Sequence, residues 1–278
     1  MLSYRHAYHA GNYADVLKHL VLAHTLEYMT RKDKALLYLD SHAGAGGYRL
    51  GEPMAQKKAE FRDGIGRLWK DDGIAALAPL MQLLQRLNPN GELAYYPGSP
   101  LIAAQLLRPQ DQLRLFELHP RDRELLERNF AKDRRVRIEG SDGFASLKAL
   151  LPPPSRRALV LIDPPYEQKD DYRKVVRAVL EGHKRFPTLT GLIWYPVVSR
   201  ARIDEMAQGL RRGGIRNLWQ TELGIAPDSD GYGMTSSGLF MINPPWTLAA
   251  ELKQALPALV ERLAPEQGRW MLEQLVAE

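Results

Sequence analysis

The chain has 278 residues, 45% hydrophobic and 26% charged, enough to bury one large core or one domain with an insertion. It has no cysteine, which excludes thiol nucleophiles, disulfides and thiolate zinc sites and fits a reducing cytoplasm. The net charge of +5 permits a polyanionic partner without demanding one, and no apolar run reaches the roughly 18 residues that would span a bilayer.

The polar start MLSYRHAYHAGNYADVLKH lacks the apolar centre of a signal peptide, so a soluble protein is expected. The N-terminal segment holds His6, His9, His19 and His24, four of the seven histidines. His6 and His9 have zinc-like spacing, but further ligands are missing and no metal site is expected. A helical pattern covers Asp15–Met29 and places Lys18 and His19 ahead of the first strand, within reach of a ligand at its tip. Tyr4, Tyr8 and Tyr13 either cap a pocket or pack in the core.

The first strand, Ala35–Asp40, runs into Ser41-His42-Ala43-Gly44-Ala45-Gly46-Gly47, where glycines let the backbone turn tightly and approach a ligand. Residues 51–95 are too many for one crossover. Helical patterns around Lys57–Trp69 and Ile74–Leu87 make this stretch an inserted helical subdomain, with 1–50 and 96–278 forming the main domain.

Strands are then expected at Leu113–Leu118, Val136–Gly140, Ala158–Asp163, Gly191–Pro196, Arg216–Leu223 and Gly238–Asn243, with helices at Arg121–Ala131, Tyr172–Phe186 and Ile203–Arg211. The alternation predicts a doubly wound α/β fold, a seven-stranded mostly parallel sheet with its ligand at the carboxyl ends of the strands. The last two strands, joined by the polar link Gly224–Ser237, read as an antiparallel pair at the sheet edge.

Four strand tips carry candidate chemistry. Besides the glycine turn, Glu117 ends the second strand, where a carboxylate accepts ribose hydroxyls. Asp142, in Gly140-Ser141-Asp142-Gly143-Phe144, is placed to accept from an adenine amino group, with Phe144 near the ring. The fourth tip, Asp163-Pro164-Pro165-Tyr166, is the most specific. Two prolines after a buried strand stop pairing and leave carbonyls without N–H groups. The Asp163 carboxylate and the Pro164 carbonyl can each accept one N–H of an exocyclic amine, turning its lone pair toward a methyl sulfonium and stabilising the charge that develops. Tyr166 offers a face on which an extruded base stacks. Asn243-Pro244-Pro245-Trp246 repeats the pattern, but strand counting puts it on an edge hairpin, away from the glycine turn.

Basic residues cluster at Lys132, Arg134, Arg135 and Arg137, at Arg156 and Arg157, at Lys184 and Arg185, and at Arg211, Arg212 and Arg216, as solvated faces or as contacts to a polyanion.

The N-terminal run, LDSHAGAG, YYPGSPLIA, FELHP, SDGF, SRRALVLIDPPYE, WYPVV and INPPW together resemble the bacterial 23S rRNA adenine-N6 methyltransferases of the RlmJ family over nearly the whole chain. The resemblance implies a Rossmann-like class I fold, S-adenosylmethionine as cofactor, a monomer, and methylation of N6 of adenine 2030 in 23S rRNA, on naked RNA or an early assembly intermediate. It implies cofactor contacts at Lys18, His19, His42, Ser99, Glu117, Asp142, Gly143 and Asp163, to which the glycine turn adds Gly44. It also implies Asp163 as catalytic acceptor and Tyr4 near the substrate. His42 in the glycine turn departs from methyltransferases in general and matches this family. DNA adenine methylation, guanine-N2 methylation of rRNA, and a non-catalytic RNA-binding protein are the alternatives left open by the residues alone.

Overall fold

The computed structural model describes residues 4–71, 73–229 and 233–278. The first three residues of the N-terminal run and Asp230-Gly231-Tyr232 of the expected link lie outside the described residues.

After a 3-10 turn at His6–Tyr8, α1 (Tyr13–Thr30) begins where the Asn12 side chain accepts the Asp15 N–H, a capping contact that satisfies an otherwise orphaned donor. Most of α1 is buried, up to Leu26. Next come β1 (Leu37–Asp40) and β2 (Gly47–Arg49). The stretch read as an insertion follows as α2 (Pro53–Lys58), α3 (Ile65–Leu68) and α4 (Ala78–Leu87), and it is followed by β3 (Tyr95–Pro97), which pairs antiparallel with β2.

The helix expected over Lys57–Trp69 is broken. Ala59 adopts a left-handed conformation (φ 49°), a 3-10 turn covers Glu60–Arg62, and Gly64 lies against the N-terminal segment, so that a Cβ there would sit 2.2 Å from the Gly11 carbonyl oxygen. The Ile65 N–H donates to that oxygen at 2.9 Å. Docking the insertion on the N-terminal segment overrides the helical pattern.

The chain continues through α5 (Ser99–Leu106), β4 (Gln112–Phe116), α6 (Pro120–Phe130), β5 (Val136–Glu139), α7 (Gly143–Leu150), β6 (Ala158–Ile162), α8 (Asp171–Arg185), β7 (Thr190–Val197) and α9 (Arg200–Arg212). It ends with β8 (Leu218–Gly224), β9 (Ser236–Ile242), α10 (Leu248–Leu263) and β10 (Arg269–Val276). Among the described residues no helix is long and apolar enough to cross a membrane.

The main sheet has eight strands in the order β10-β8-β9-β7-β6-β1-β4-β5. All seven expected strands are in it. The eighth, β10, escaped the sequence because it is a half-exposed edge strand whose Glu273 and Gln274 interrupt any apolar run. Six strands share one direction; β9 and β10 oppose it. The antiparallel pair β8–β9 is present, but β9 lies between β8 and β7 and is not at the edge, which β10 occupies. One face of the sheet packs α1, α5, α10 and insertion residues such as Ile65, Leu68, Leu80 and Leu84 in one buried cluster. The other packs α7, α8 and α9.

Candidate active site

Parallel strands deliver their tips to one edge, so the loops after β1, β4, β5 and β6 meet there. They surround a cavity of about 340 Å³, within the range of small-ligand pockets. Of the expected residues, Tyr4, Lys18, His19, His42, Gly44, Ser99, Glu117, Asp142, Asp163 and Pro164 line it. Gly143 and Tyr166 do not.

The glycine turn is built for close approach. Gly44 has φ 59°, and a Cβ on it would come 2.6 Å from the Tyr48 hydroxyl oxygen. Gly143 stands behind the lining, where a Cβ would meet the Ser41 carbonyl oxygen at 1.9 Å, so it sets how closely the β5 loop abuts the β1 loop. Glu117 accepts the Gly44 N–H (2.8 Å) and the His119 N–H (2.6 Å), which ties the second tip to the glycine turn. Burial raises its pKa above the ordinary carboxylate value, against these two donors. Asp142 caps α7 by accepting the Phe144 N–H at 2.9 Å, and Phe144 packs edge-on against His42, their ring centroids 4.9 Å apart.

On α1, Lys18 is buried, with its Nζ 2.6 Å from Asp163 Oδ2 and 2.9 Å from Asp15 Oδ1. Burial opposes its charge, but the two carboxylates outweigh burial and hold the ammonium above the ordinary lysine value. Asp15 lies on the same helix face three residues earlier. It also accepts the Gly11 N–H (2.8 Å) and His6 Nε2–H (2.8 Å), while His6 Nδ1 accepts the Tyr4 hydroxyl at 2.9 Å. Burial would raise the Asp15 carboxyl, but His6, Lys18 and His19 together carry it well below the usual range. Tyr4 in turn stacks on His9, which donates to Glu60 of the insertion. His6 and His9, with their zinc-like spacing, thus point to separate carboxylates.

Two groups at this edge have further shifted titration. His19 Nδ1 shares a hydrogen bond with the Tyr96 hydroxyl at 2.8 Å, and burial lowers its pKa to about 3. Asp40, which the sequence did not single out, takes hydroxyl donors from Tyr38 (2.8 Å) and Ser99 (2.7 Å); burial nevertheless raises it to about 6. Only the fold joins Ser99 to Asp40, so nothing in the sequence marked the pair.

After β6, Pro164 and Pro165 line the cavity beside Asp163, and Tyr166 has φ 49°. Its ring turns inward against Tyr172, centroids 4.5 Å apart, and lies 6.0 Å from the Trp194 ring; its hydroxyl donates to the Trp194 carbonyl at 2.7 Å. Trp194, another residue that sequence reasoning missed, carries the Lys18 ammonium 5.7 Å from its ring centroid.

The lining fits S-adenosylmethionine. Acceptor carboxylates stand at the tips of β4 and β5, a glycine turn admits close backbone approach, and His19 Nε2 is buried without a hydrogen-bond partner among the described residues. An unpartnered polar atom in the wall of a cavity calls for a polar ligand.

The look-alike motif lies elsewhere. Ile242, which precedes Asn243, pairs with Gly191 at the start of β7, whereas Ile162, which precedes Asp163, pairs with Ile193 further along that strand. Because β9 runs against its neighbours, Asn243 leaves the sheet at the amino edge. Its side-chain amide donates to the Pro187 and Leu189 carbonyls, both at 2.9 Å, and Trp246 is 80% exposed. The sequence-read basic clusters lie at that same amino edge. Arg135 donates to the Ala104 and Leu107 carbonyls, Arg157 to the Met29 and Lys34 carbonyls, and Arg216 to those of Ala277 and Glu278. These arginines satisfy chain-end and helix-end carbonyls.

A family model described as "Ribosomal RNA large subunit methyltransferase D, RlmJ" matches residues 33–276. The "Ribosomal RNA large subunit methyltransferase J" of Escherichia coli (strain K12) is 53% identical over 266 residues, 95% of each chain. The protein of the same name from Haemophilus influenzae is 50% identical over 281 residues, all of both chains. A Legionella pneumophila protein known from its crystal structure is 36% identical, with a TM-score of 0.89 over 96% of this chain and 98% of that one. The α/β fold, the lining of the carboxyl-edge cavity and these matches agree, and the chain belongs to the RlmJ family of Rossmann-like, S-adenosylmethionine-dependent methyltransferases.

Proposed function

We propose that the protein methylates the exocyclic N6 amino group of an adenine in 23S ribosomal RNA, adenine 2030 by family resemblance, as a cytoplasmic monomer acting on naked RNA or an early assembly intermediate. The observation that carries this reading is Asp163, held at the cavity wall by Lys18 and followed by two prolines that add carbonyls and no competing N–H donors. The insertion, residues 51–95, is a helical subdomain in this reading.

When bound, S-adenosylmethionine supplies an electrophilic methyl on a sulfonium. The residues of this chain do the rest. Lys18 engages Oδ2 of Asp163 and fixes the plane of the carboxylate, leaving Oδ1 to accept one amine N–H. The Pro164 carbonyl accepts the other. Two acceptors on one nitrogen hold its lone pair out of the ring and stabilise the positive charge it gains. Glu117 and Asp142 bind hydroxyl and amino donors of the cofactor, with His19, His42, Gly44, Ser99 and Gly143 shaping its seat. Tyr4 sits at the substrate side, fixed by His6. Tyr166 meets the base by an edge of its packed ring, or by swinging out of its contact with Tyr172.

The test is transfer of labelled methyl to a protein-free 23S rRNA transcript, to an rRNA-free duplex DNA and to adenine-free RNA. Methyl on the RNA adenine alone supports the reading. Transfer to duplex DNA or to guanine would replace it with a rival acceptor. Cofactor binding with no transfer to any nucleic acid would favour a non-catalytic RNA-binding protein.

A further inference from the structure

We propose that the cationic face of the insertion, Lys57, Lys58 and Arg62, is a contact surface for the RNA phosphate backbone flanking the nucleotide that enters the cavity. The inference rests on the RNA reading above and names the surface that holds that substrate.

The amino-edge clusters do not offer such a surface, since they lie at the edge of the sheet away from the cavity, and Arg135, Arg157 and Arg216 are also spent on carbonyls. The thirteen residues of α9 alone carry Arg211 and Arg212 about 17–18 Å from the edge where that helix begins. The insertion differs in three ways. It is tied to the cavity wall through two contacts: Tyr4 lines the cavity and stacks on His9, and His9 donates to Glu60, which lies between Lys58 and Arg62. Its cations are exposed. And their charge is largely unspent. Among the described residues neither Lys57 nor Arg62 has a carboxylate within ion-pair distance. Lys58 approaches Glu60 only at 3.7 Å, and that carboxylate is already taken by His9 and Asn12.

The long side chains are also held in place. The Lys57 ammonium lies 5.8 Å from the Tyr8 ring centroid, and the Arg62 guanidinium lies 5.8 Å from that of Phe61 while donating to Gln56 at 3.1 Å. Three exposed cations on a segment joined to the cavity wall through Glu60, His9 and Tyr4 suit the phosphates of an RNA whose base enters that cavity, and a polyanion gains by releasing its counterions there.

The experiment uses the full-length protein and a large-subunit rRNA transcript, measuring RNA affinity against salt, KM for RNA, kcat and cofactor affinity. The neutral variant K57Q/K58Q/R62Q is compared with the wild type and with R211Q/R212Q at the opposite edge. We expect a KM for RNA raised tenfold or more in the first variant, with kcat at saturating RNA and cofactor affinity within twofold. The slope of log affinity against log salt should flatten by about 2, as loss of three phosphate contacts requires, while R211Q/R212Q behaves as wild type. Unchanged KM and salt slope in the first variant would overturn the proposal, as would an equal loss in R211Q/R212Q. A fall in kcat or cofactor affinity with RNA binding intact would also overturn it. Failure of the wild type to methylate the transcript would instead count against the functional reading, and is read separately from the binding isotherms.

Discussion

Asp163-Pro164-Pro165-Tyr166 and Asn243-Pro244-Pro245-Trp246 follow one residue pattern, and each contains a left-handed residue, φ 49° at Tyr166 and φ 47° at Asn243. They stand at opposite ends of the same sheet. At the carboxyl edge Asp163 faces a cavity and a buried lysine. At the amino edge Asn243 spends its amide on two carbonyls of the loop before β7, and its aromatic partner is in solvent. The difference teaches that such a motif is a turn first. It gains chemistry only where parallel strands bring other tips beside it. Charge differs between the edges too: at the amino edge Arg135, Arg157 and Arg216 brace carbonyls, while at the carboxyl edge the Lys18 ammonium binds two carboxylates.

The comparison breaks first at Lys18. Lys18→Met leaves the buried Asp15 and Asp163 without the ammonium they share, and we expect a loss of about 3–5 kcal/mol of stability in urea titration, together with loss of methyl transfer. A variant as stable as the wild type would mean that the carboxyl edge is not organised around this ammonium.

Next is the exchange of roles between the motifs. Asp163→Asn should reduce turnover by about 10²-fold or more with cofactor affinity roughly kept, because one aimed acceptor is lost. Asn243→Ala should cost about 1–3 kcal/mol of stability through its two carbonyls left unpaired, with turnover unchanged at 25 °C. Single-turnover kinetics and calorimetry separate the two, and an activity loss in Asn243→Ala would erase the distinction drawn above.

A weaker effect concerns pH. His19 and His42 are lowered by burial to about 3 and about 4 from an ordinary 6.5. The unfolded chain therefore binds more protons below pH 6.5, so their stabilisation is present above 6.5 and falls with pH, by at most about 1.4 kcal/mol per pH unit for each histidine. Asp40, raised by burial to about 6 from 3.8, works the other way, adding stability as pH falls from 6 toward 3.8. The balance is a net decline from pH 6.5 to 5, and in His19→Gln the decline should be shallower. A pH-independent urea midpoint would sink the assignment.

Smallest is Trp246→Ala, which removes a ring that is 80% exposed and should shift stability by no more than about 0.5 kcal/mol and turnover not at all.

Much of the candidate site was legible because its chemistry is local. A glycine turn, a Glu, an Asp-Gly and an Asp-Pro-Pro each follow an apolar run, and the alternation of runs implied that the tips share an edge. Arrangements that depend on contacts distant in sequence were not legible. Asp15 looked like one more acid at the start of a helix until Lys18, His6 and Gly11 converged on it. Tyr166, read as an open stacking face, packs on Tyr172 because its left-handed turn aims it inward. The insertion helices broke where Gly64 meets Gly11, and β10 hid as a half-polar edge strand.

By itself the sequence determined the fold class, the strand tips and the type of group each tip presents, because strand ends, prolines and glycines act within a few residues. The tertiary structure alone decided which of two like motifs faces the cavity, since β9 reverses direction in the sheet. It alone brought Lys18 to Asp163 across 145 residues of chain, because that contact joins a helix before the first strand to the loop after the sixth.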